Sequence, residues 1–436
     1  MTFSVITLGC KVNQYESQAM EQALRAMGHE ERGPNEACDC YIINTCSVTA
    51  VADKKNRNVI RRLRREHPEA VIAVCGCYSQ VKPEDVRTLG ADVISGSANR
   101  EDFLRLVLQT AADRRKREAV DEALRRRTFE ILPPGGLSTR TRAMLKVQDG
   151  CSNFCSYCII PYTRGPVRSL PPEKAVEQAK ALDAEGYREI VVTGIEIASW
   201  GWDFHDGSRL PTLLQAICEA VPGVRIRLGS LEPRIIDEEF CARLSGFANL
   251  CPHFHLSLQS GSDTVLRRMN RKYDTARYFE SVERLNRAFP GCAVTTDLIV
   301  GFPGETEAEF AESLAFSWKC GFASMHVFPY SRRPGTPADK MPGQHGNAVK
   351  EARSAAAIEN AAALNLDFRT RMIGSVQNVL FEETADGLWT GHAPNSIRVY
   401  AAGESLHNIV LPVRIDGVYA DGLRGTIETT QEETNV

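Results

Sequence analysis

The stretch Gly150–Gly165 reads Gly-Cys-Ser-Asn-Phe-Cys-Ser-Tyr-Cys-Ile-Ile-Pro-Tyr-Thr-Arg-Gly. It contains Cys151, Cys155 and Cys158, spaced by three and then two residues. Three thiolates in one short loop can converge on a single iron–sulfur cluster through soft sulfur ligation. Because three ligands serve four irons, one iron keeps an open position that a small molecule can occupy. The stretch therefore predicts a reaction site more than a structural metal site.

The composition of the chain is typical of a multidomain globular enzyme. Its 436 residues suggest about three domains. A hydrophobic content of 43%, a charged content of 25% and the lack of an apolar run near the length of a membrane span argue against a membrane protein. The N-terminus lacks the basic flank of a signal peptide, so we expect a cytoplasmic protein. Its 14 cysteines then indicate metal binding, catalysis or burial in place of disulfides.

The first hundred residues alternate short apolar runs with helical patterns, which predicts a small parallel α/β domain. The predicted strands are Phe3–Leu8, Tyr41–Asn44, Val71–Val74 and Val93–Ser95.

Three of the loops that follow these strands carry cysteine, at Cys10, Cys46 and Cys77. Loops at the carboxyl ends of parallel strands converge, so a second three-cysteine cluster site is expected there. Cys75 competes with Cys77 for the third place; because it ends the apolar strand, we assign it to the core. The alternative is that all these cysteines are small buried core residues.

A break at Pro133-Pro134-Gly135-Gly136 predicts a domain boundary. Beyond it, strand and helix patterns alternate six times, which predicts a partial (β/α)6 barrel with the loop of Cys151 at the carboxyl ends of the strands. The predicted barrel strands are Met144–Val147, Ile190–Thr193, Arg225–Leu228, Phe254–Leu258, Ala293–Val300 and Ser324–Phe328. An alanine-rich helix is predicted at about Ala348–Thr370.

Several loops at the same end of the barrel carry polar residues and glycines that admit close backbone approach. A helix start after Gly301 is also expected to offer free amides to an anionic or polar group. The candidate ligand-binding residues are Gly194, Glu196, Gln259, Ser260, Asp297, Gly301 and Pro303.

Five short β-rich runs after residue 375 predict a small C-terminal barrel, a fold that often binds oligonucleotides. Trp389 and Arg398 are candidates for base stacking and phosphate contact. A net charge of only −3 means that any basic surface must be local. The helix after Cys46 provides one, with Arg61, Arg62 and Arg65 as candidate RNA-binding residues, although a solvated helix face is the simpler alternative.

The motif of the first paragraph, with an aromatic residue before its last cysteine, resembles the radical S-adenosylmethionine superfamily. The whole chain resembles the methylthiotransferase family more narrowly, through three blocks that occur in order: Cys-Gly-Cys-Tyr-Ser-Gln, Tyr-Cys-Ile-Ile-Pro-Tyr-Thr-Arg-Gly and Thr-Asp-Leu-Ile-Val-Gly-Phe-Pro-Gly-Glu-Thr. Leu-Gly-Cys-Lys-Val-Asn-Gln-Tyr-Glu-Ser and Lys-Val-Gln-Asp-Gly-Cys are most similar to the branch that acts on threonylcarbamoyladenosine in tRNA. Glu196 departs from the histidine or asparagine expected there.

The resemblance implies three domains: residues 1–115, a radical barrel at 137–370 and a TRAM-like barrel at 371–436. It also implies two 4Fe–4S clusters, S-adenosylmethionine, the tRNA anticodon stem-loop as substrate, and an electron donor such as flavodoxin or ferredoxin. The implied reaction adds a methylthio group to C2 of the adenosine at position 37, chemistry that needs a cofactor because an aromatic C–H bond is inert to side-chain acids and bases.

Two other readings remain open. A relative in the same family could act on isopentenyladenosine or on a ribosomal protein aspartate. A non-enzymatic iron–sulfur or zinc protein that binds RNA or moves electrons is the other alternative, although zinc prefers four closed ligands and neither cysteine triplet has an obvious fourth.

Overall fold

The structure is a computed structural model that describes residues 1–135 and 141–428. Three sheet systems follow one another along the chain: a first sheet, a partial barrel and a C-terminal barrel. Gly136 of the predicted linker, the start of the predicted second domain at 137–140 and the end of the third at 429–436 lie outside the described residues.

The first sheet has six parallel strands in the order β2-β1-β3-β4-β5-β6. Its elements are β1 (Thr2–Thr7), α1 (Lys11–Ala26), β2 (Glu30–Glu31), β3 (Cys40–Thr45), α2 (Ala50–Glu66), β4 (Val71–Gly76), α3 (Cys77–Val81), α4 (Pro83–Thr88), β5 (Val93–Ser95), α5 (Arg100–Asp113) and β6 (Arg117–Ala119). β3 and β4 are buried along their whole length, as expected of central strands covered by helices on both faces.

The charged run after Asp113 crosses the predicted domain end at residue 115. Here α5 ends with Arg114 in a left-handed conformation, and β6 pairs in parallel with β5. The first sheet therefore extends beyond residue 115, because an edge strand tolerates charged side chains that face water.

The partial barrel confirms the predicted fold class. Its parallel strands form two arcs, β11-β10-β7 and β12-β13-β14-β15, and only Gly229 separates β11 from β12. The elements are β7 (Arg142–Lys146), β8 (Gln148–Asp149), α6 (Ile160–Arg164), β9 (Arg168–Ser169), α7 (Pro172–Ala184), β10 (Glu189–Thr193), α8 (Leu210–Ala220), β11 (Arg225–Leu228), β12 (Ser230–Leu231), α9 (Glu238–Leu244), β13 (His253–Leu256), α10 (Asp263–Arg268), α11 (Thr275–Ala288), β14 (Ala293–Val300), α12 (Glu307–Cys320), β15 (Ser324–Pro329) and α13 (Asn347–Arg371). Short 3-10 helices occupy Ala123–Arg125, Ile197–Ser199, Trp202–Phe204, Pro233–Ile235 and Pro337–Lys340. We call the carboxyl ends of the barrel strands the mouth.

The C-terminal barrel is closed by five strands in the order β16-β17-β18-β20-β19. They are β16 (Val376–Ala385), β17 (Leu388–His392), β18 (Arg398–Ala401), β19 (Val410–Tyr419) and β20 (Gly422–Ile427). It packs against the amino ends of the partial barrel strands, where Arg227 donates to the carbonyl of Pro394 at 2.9 Å and Arg142 pairs with Glu382 at 2.7 Å.

A buried ion network joins the first sheet to the partial barrel. Glu16 of α1 pairs with Arg100 at 2.7 Å, with Lys146 at 3.0 Å and with Arg164, and all four side chains are buried. Burial alone would raise the pKa of Glu16, but the three cations overcome it and hold the pKa well below 4.5. The network fixes the orientation of α1 relative to the mouth.

A second connection comes from the segment after β15. Arg333 is buried and donates to the hydroxyl of Ser47 at 2.6 Å, and it pairs with Asp53 at 3.1 Å. Ser331 accepts from the amide of Ala50 at 2.9 Å. The start of α2 is therefore held against the end of the last barrel strand. In the part of the chain that the structure describes, no helix is long and apolar enough to cross a membrane.

Candidate cluster sites at the barrel mouth

The loop that carries Cys151, Cys155 and Cys158, which we call the loop cysteines, follows β8 at the mouth. Gly150 has a φ of +75°, and a Cβ there would lie 1.9 Å from the carbonyl oxygen of Pro166, so only glycine fits. The amide of Cys151 donates to Gly165 at 2.9 Å and closes the loop at its base. The predicted loop is thus tied at both ends.

A turn after α10 holds the middle of this loop. The amide of Ser156 donates to Met269 at 2.9 Å, and the side chain of Asn270 donates to the carbonyl of Phe154 at 2.8 Å. Arg271 donates to the sulfur of Cys155 at 3.3 Å. Sequence reasoning missed Arg271, because nothing in one sequence connects it to a cysteine 116 positions earlier.

The three loop cysteines share one electrostatic neighbourhood. Burial, followed by the nearby Cys155 thiol, raises the pKa of Cys158 to about 12. Burial also raises the pKa of Cys151, with Glu196, Cys158 and Cys155 adding to the effect. Thiols with such raised pKa values give up their protons to iron, whose positive charge reverses the local repulsion.

Cys10, Cys46 and Cys77, which we call the sheet cysteines, lie at the carboxyl ends of β1, β3 and β4. Burial, then Cys77 and Cys10, raises the pKa of Cys46 to about 12, so the three thiols are neighbours. Gly76 has a φ of +103°, and a Cβ there would lie 2.4 Å from the carbonyl oxygen of Thr45. This glycine turns the chain so that Cys77 leaves the strand.

Cys75 has different surroundings. It is fully buried and packs in the core of the first sheet with Phe3, Val71 and Val93. Burial raises its pKa to about 11, and its charged neighbours are Arg100 and Glu16 of the ion network. This placement is the one expected of a core residue.

The two cysteine groups lie near each other. Cys77 is among the groups that raise the pKa of Cys158, which places a sheet cysteine within electrostatic range of a loop cysteine. All six are free thiols. Within residues 1–135 and 141–428, no three His, Cys, Asp or Glu side chains converge on a point that could hold a single metal ion. Two open groups of three thiols suit larger iron–sulfur clusters and do not form a closed zinc site.

The polar candidates at the mouth fall into two classes. Glu196 lies near Cys151 and accepts from the amide of Ala198 at 3.1 Å; burial, then Glu232, raises its pKa to about 7. Gly194 stands where a Cβ would lie 2.7 Å from the carbonyl oxygen of Gln148. Asp297 contacts His255 at 3.3 Å on the inner face of the barrel. These groups line the mouth.

The other candidates make contacts within the fold. The backbone amide of Gln259 donates to the backbone carbonyl of Asp297 at 2.8 Å, and the hydroxyl of Ser260 contacts the hydroxyl of Ser313 at 3.2 Å. The amide of Gly301 donates to the Glu305 carboxylate at 2.6 Å, and Pro303 is buried in the same turn.

The start of α12 differs in part from its prediction. Free amides were expected there, but a capping box satisfies two of them, those of Thr306 and Glu309.

The basic helix α2 presents Arg61, Arg62 and Arg65 to solvent. Arg62 and Arg65 contact Glu66 at 4.0 and 3.2 Å, whereas Arg64 on the same helix is used structurally, in a contact with Asp92.

The two candidates in the C-terminal barrel lie on different surfaces. Trp389 packs partly against the barrel core. Arg398 pairs with Asp421 at 3.2 Å and lines a cavity between the three sheet systems.

Comparison with known proteins adds two family models. Residues 145–317 match the Radical SAM superfamily. Residues 2–96 match Uncharacterized protein family UPF0004. The first covers most of the partial barrel, and the second covers most of the first sheet.

Curated relatives match nearly the whole chain. The threonylcarbamoyladenosine tRNA methylthiotransferase MtaB of Bacillus subtilis is 40% identical over 95% of this chain and 93% of its own length. The protein of that name from Thermotoga maritima is 37% identical over 87% of this chain and 86% of its own. A tRNA-2-methylthio-N(6)-dimethylallyladenosine synthase of Pelotomaculum thermopropionicum is 31% identical over 98% of this chain and 97% of its own.

Among solved structures, the radical S-adenosylmethionine methyltransferase TsrM from Kitasatospora setae, with cobalamin and a 4Fe–4S cluster bound, has a TM-score of 0.57 at 15% identity. The match covers 89% of this chain and 80% of that one. At this identity the likeness concerns the fold alone.

Proposed function

This chain belongs to the radical S-adenosylmethionine methylthiotransferase family, and we propose that it adds a methylthio group to C2 of N6-threonylcarbamoyladenosine at position 37 of tRNA. The observation that carries the proposal is the pair of open three-cysteine groups that lie near each other at the barrel mouth. The identity of 40% to the B. subtilis threonylcarbamoyladenosine enzyme supports the choice of nucleoside.

Family membership implies one 4Fe–4S cluster and S-adenosylmethionine, and we propose a second cluster. The loop cysteines would hold the first and the sheet cysteines, with Cys77 as third ligand, would hold the second. When bound, the two groups supply the radical chemistry and the sulfur that no side chain can provide. Arg271 keeps a donor on the Cys155 sulfur, and hydrogen bonds to cluster sulfurs are a known means of setting reduction potential.

The mouth residues would bind and orient the small-molecule cofactor. Asp297 and Glu196 present carboxylates on its inner wall, and Gly194 permits close backbone approach. Ser260, Gly301 and Pro303 contribute by shaping the loops, and the backbone of Gln259 does the same, while its side-chain amide remains a candidate contact to the cofactor.

The proposed RNA path starts at α2. Its amino end is fixed beside the last barrel strand by Ser331 and Arg333, so its exposed arginines extend outward from the mouth. Lys54, Lys55 and Arg62 border a shallow groove of about 320 Å³ on the same helix. The backbone phosphates of an anticodon stem-loop are suitable partners for this basic helix face.

The three sheet systems support a division into three domains, with the first extended to include β6. We propose that the C-terminal barrel is a TRAM-like module that holds RNA, using Trp389 and Arg398. An external one-electron donor such as flavodoxin or ferredoxin would reduce the cluster of the loop cysteines, and the reaction would take place in the cytoplasm with tRNA.

Mass spectrometry of tRNA nucleosides tests the proposal. Cells that lack the protein should lose 2-methylthio-N6-threonylcarbamoyladenosine and keep its unmethylthiolated precursor. Reintroducing the chain should restore the nucleoside, and a Cys151→Ser variant should not. If the nucleoside persists in the deletion strain while the isopentenyl counterpart disappears, the enzyme acts on isopentenyladenosine, and the proposed substrate is wrong.

A further inference from the structure

A cavity of about 470 Å³ lies where the three sheet systems meet, below the mouth. α1 contributes Lys11 and Gln14 to its wall, and the inner face of the partial barrel contributes residues from four strands. The latter are Arg142, Met144, Val191, Arg227 and His253. The C-terminal barrel closes the remaining side through β16–β18. The proposed cluster and cofactor sites use none of these wall residues.

The arginines that line the cavity are paired with carboxylates. Arg227 is neutralised by Glu189 at 2.6 Å, and Arg142 by Glu382 at 2.7 Å. Arg398 is neutralised by Asp421 at 3.2 Å and lies 3.8 Å from Glu383. Lys11 has no hydrogen-bond or ion-pair partner within residues 1–135 and 141–428, although it lies within electrostatic range of Arg142, Arg227 and Glu189. Its ammonium group is therefore available to a bound anion.

His253 provides a second open group. Its buried Nδ1 has no hydrogen-bond partner in the described structure. Its Nε2 lies 3.3 Å from the Thr295 hydroxyl, which lies 3.0 Å from His255, whose other nitrogen lies 3.3 Å from Asp297. These four side chains form a continuous polar row from the cavity to the mouth.

On the opposite wall, Lys11 directly follows Cys10, a sheet cysteine. One wall of the cavity therefore begins next to a proposed ligand of the second cluster.

We propose that this cavity binds the threonyl carboxylate of the substrate nucleoside, with Lys11 as the residue that recognises its charge; this inference rests on the proposed function. C2 and C6 lie on either side of N1 in adenine, so substituents on these two carbons point in different directions. A base whose C2 faces the clusters at the mouth directs its N6 substituent away from them, and the cavity lies on that side. The threonylcarbamoyl group ends in a carboxylate, which the ammonium group of Lys11 can bind by a charge-assisted hydrogen bond.

This arrangement would also explain discrimination against an isopentenyl group. An apolar substituent of similar length would give neither the ammonium group of Lys11 nor the buried Nδ1 of His253 a polar partner. Sites built around polar partners reject analogues that lack them much more strongly than apolar pockets reject an added polar group. The cavity would therefore determine specificity and take no part in the radical chemistry.

Binding of three anticodon stem-loop RNAs tests the inference. The RNAs carry threonylcarbamoyladenosine, isopentenyladenosine or adenosine at position 37, and fluorescence anisotropy measures their affinity for the cluster-loaded enzyme. Wild type should prefer the threonylcarbamoyl RNA over the adenosine RNA by about 10- to 100-fold, the range expected of one charge-assisted contact. Lys11→Met should abolish the preference, Lys11→Arg should retain it, and Lys180→Met on the exposed face of α7 should have no effect.

Gln14→Glu provides a second test that keeps the shape of the wall. It adds a negative charge one turn along α1 and should weaken the threonylcarbamoyl RNA selectively. If Lys11→Met lowers the iron content because of its neighbour Cys10, the Gln14→Glu variant decides the question.

Two results would overturn the inference. One is an unchanged preference for the threonylcarbamoyl RNA in Lys11→Met or, if that variant loses iron, in Gln14→Glu. The other is an equal loss of affinity for all three RNAs, which would place Lys11 on the phosphate backbone. Turnover of the threonylcarbamoyl RNA by wild type separates this inference from the proposed function. If wild type methylthiolates that RNA and the variants keep their preference, only the cavity assignment is wrong; if wild type does not act on it, the proposed function fails.

Discussion

Glu16→Gln should destabilise the protein strongly, because it removes the one carboxylate shared by Arg100, Lys146 and Arg164. All four side chains are almost completely buried; Lys146 and Arg164 would keep Asp149 as a nearby carboxylate, and Arg100 would keep Glu130. Removing one partner of a buried ion pair costs about 3–5 kcal/mol. That is a large part of a net stability of about 5–15 kcal/mol for a protein of this kind.

Thermal unfolding followed by circular dichroism under anaerobic conditions measures the effect. A loss of that size should lower the first unfolding midpoint by roughly 6–20 °C. Asp102→Asn is the matched control, because Asp102 pairs with Arg105 at 2.9 Å on the exposed surface of α5. The control should change stability by less than about 0.5 kcal/mol. Equal midpoints for the two variants would refute the role given to the network.

The pH dependence gives the same prediction a second form. The pKa of Glu16 in the folded protein lies well below its ordinary value of 4.5. A carboxyl with a depressed folded pKa contributes stability that is fully present above the unfolded value and is lost as the pH falls through the folded one. The difference in stability between wild type and Glu16→Gln should therefore be largest above pH 4.5 and shrink below it. A difference that grows in acid would contradict the assignment.

Three further predictions concern the clusters and the RNA. Cys77→Ser should lower the iron content by about one cluster while Cys75→Ser leaves it unchanged, as measured by iron and sulfide counting after anaerobic reconstitution; the reverse result would exchange the two roles. Arg271→Met should lower the reduction potential of the cluster proposed for the loop cysteines, because the Cys155 sulfur loses its hydrogen-bond donor; the potential is measured by a redox titration followed by electron paramagnetic resonance. Lys272→Met should leave this potential unchanged. Replacing Arg61, Arg62 and Arg65 of α2 by alanine should weaken tRNA binding and make the slope of log K against log salt concentration shallower by about 2–3. An unchanged slope would show that the RNA does not contact α2.

The regular part of the fold could be predicted from the sequence because its signals are local. Runs such as Ala293–Val300 and Arg225–Leu228 are strands with the predicted bounds, since apolar runs between turn residues have few other solutions in a parallel sheet. The convergence of the sheet cysteines could be predicted in the same way, since loops at the carboxyl ends of parallel strands converge.

What could not be predicted depends on long-range contacts. Arg117 and Glu118 lie in a charged run, and only the free edge of β5 makes a strand of it. Arg271 and Glu16 act through partners more than eighty positions away, and no periodicity marks such pairs. The amides at the start of α12 were expected to be free because the capping side chain of Thr306 looks the same in sequence whether or not it folds back.

The contact of Arg333 with Ser47 and Asp53 has a consequence for biosynthesis. These residues are 286 and 280 positions apart, so the first sheet leaves the ribosome long before the segment that covers the start of α2 is made. The sheet cysteines come from three loops of one small sheet, and that sheet is complete while the partial barrel is still being synthesised. We expect the cluster proposed for this group to be loaded most easily during translation, before Arg333 closes over the start of α2.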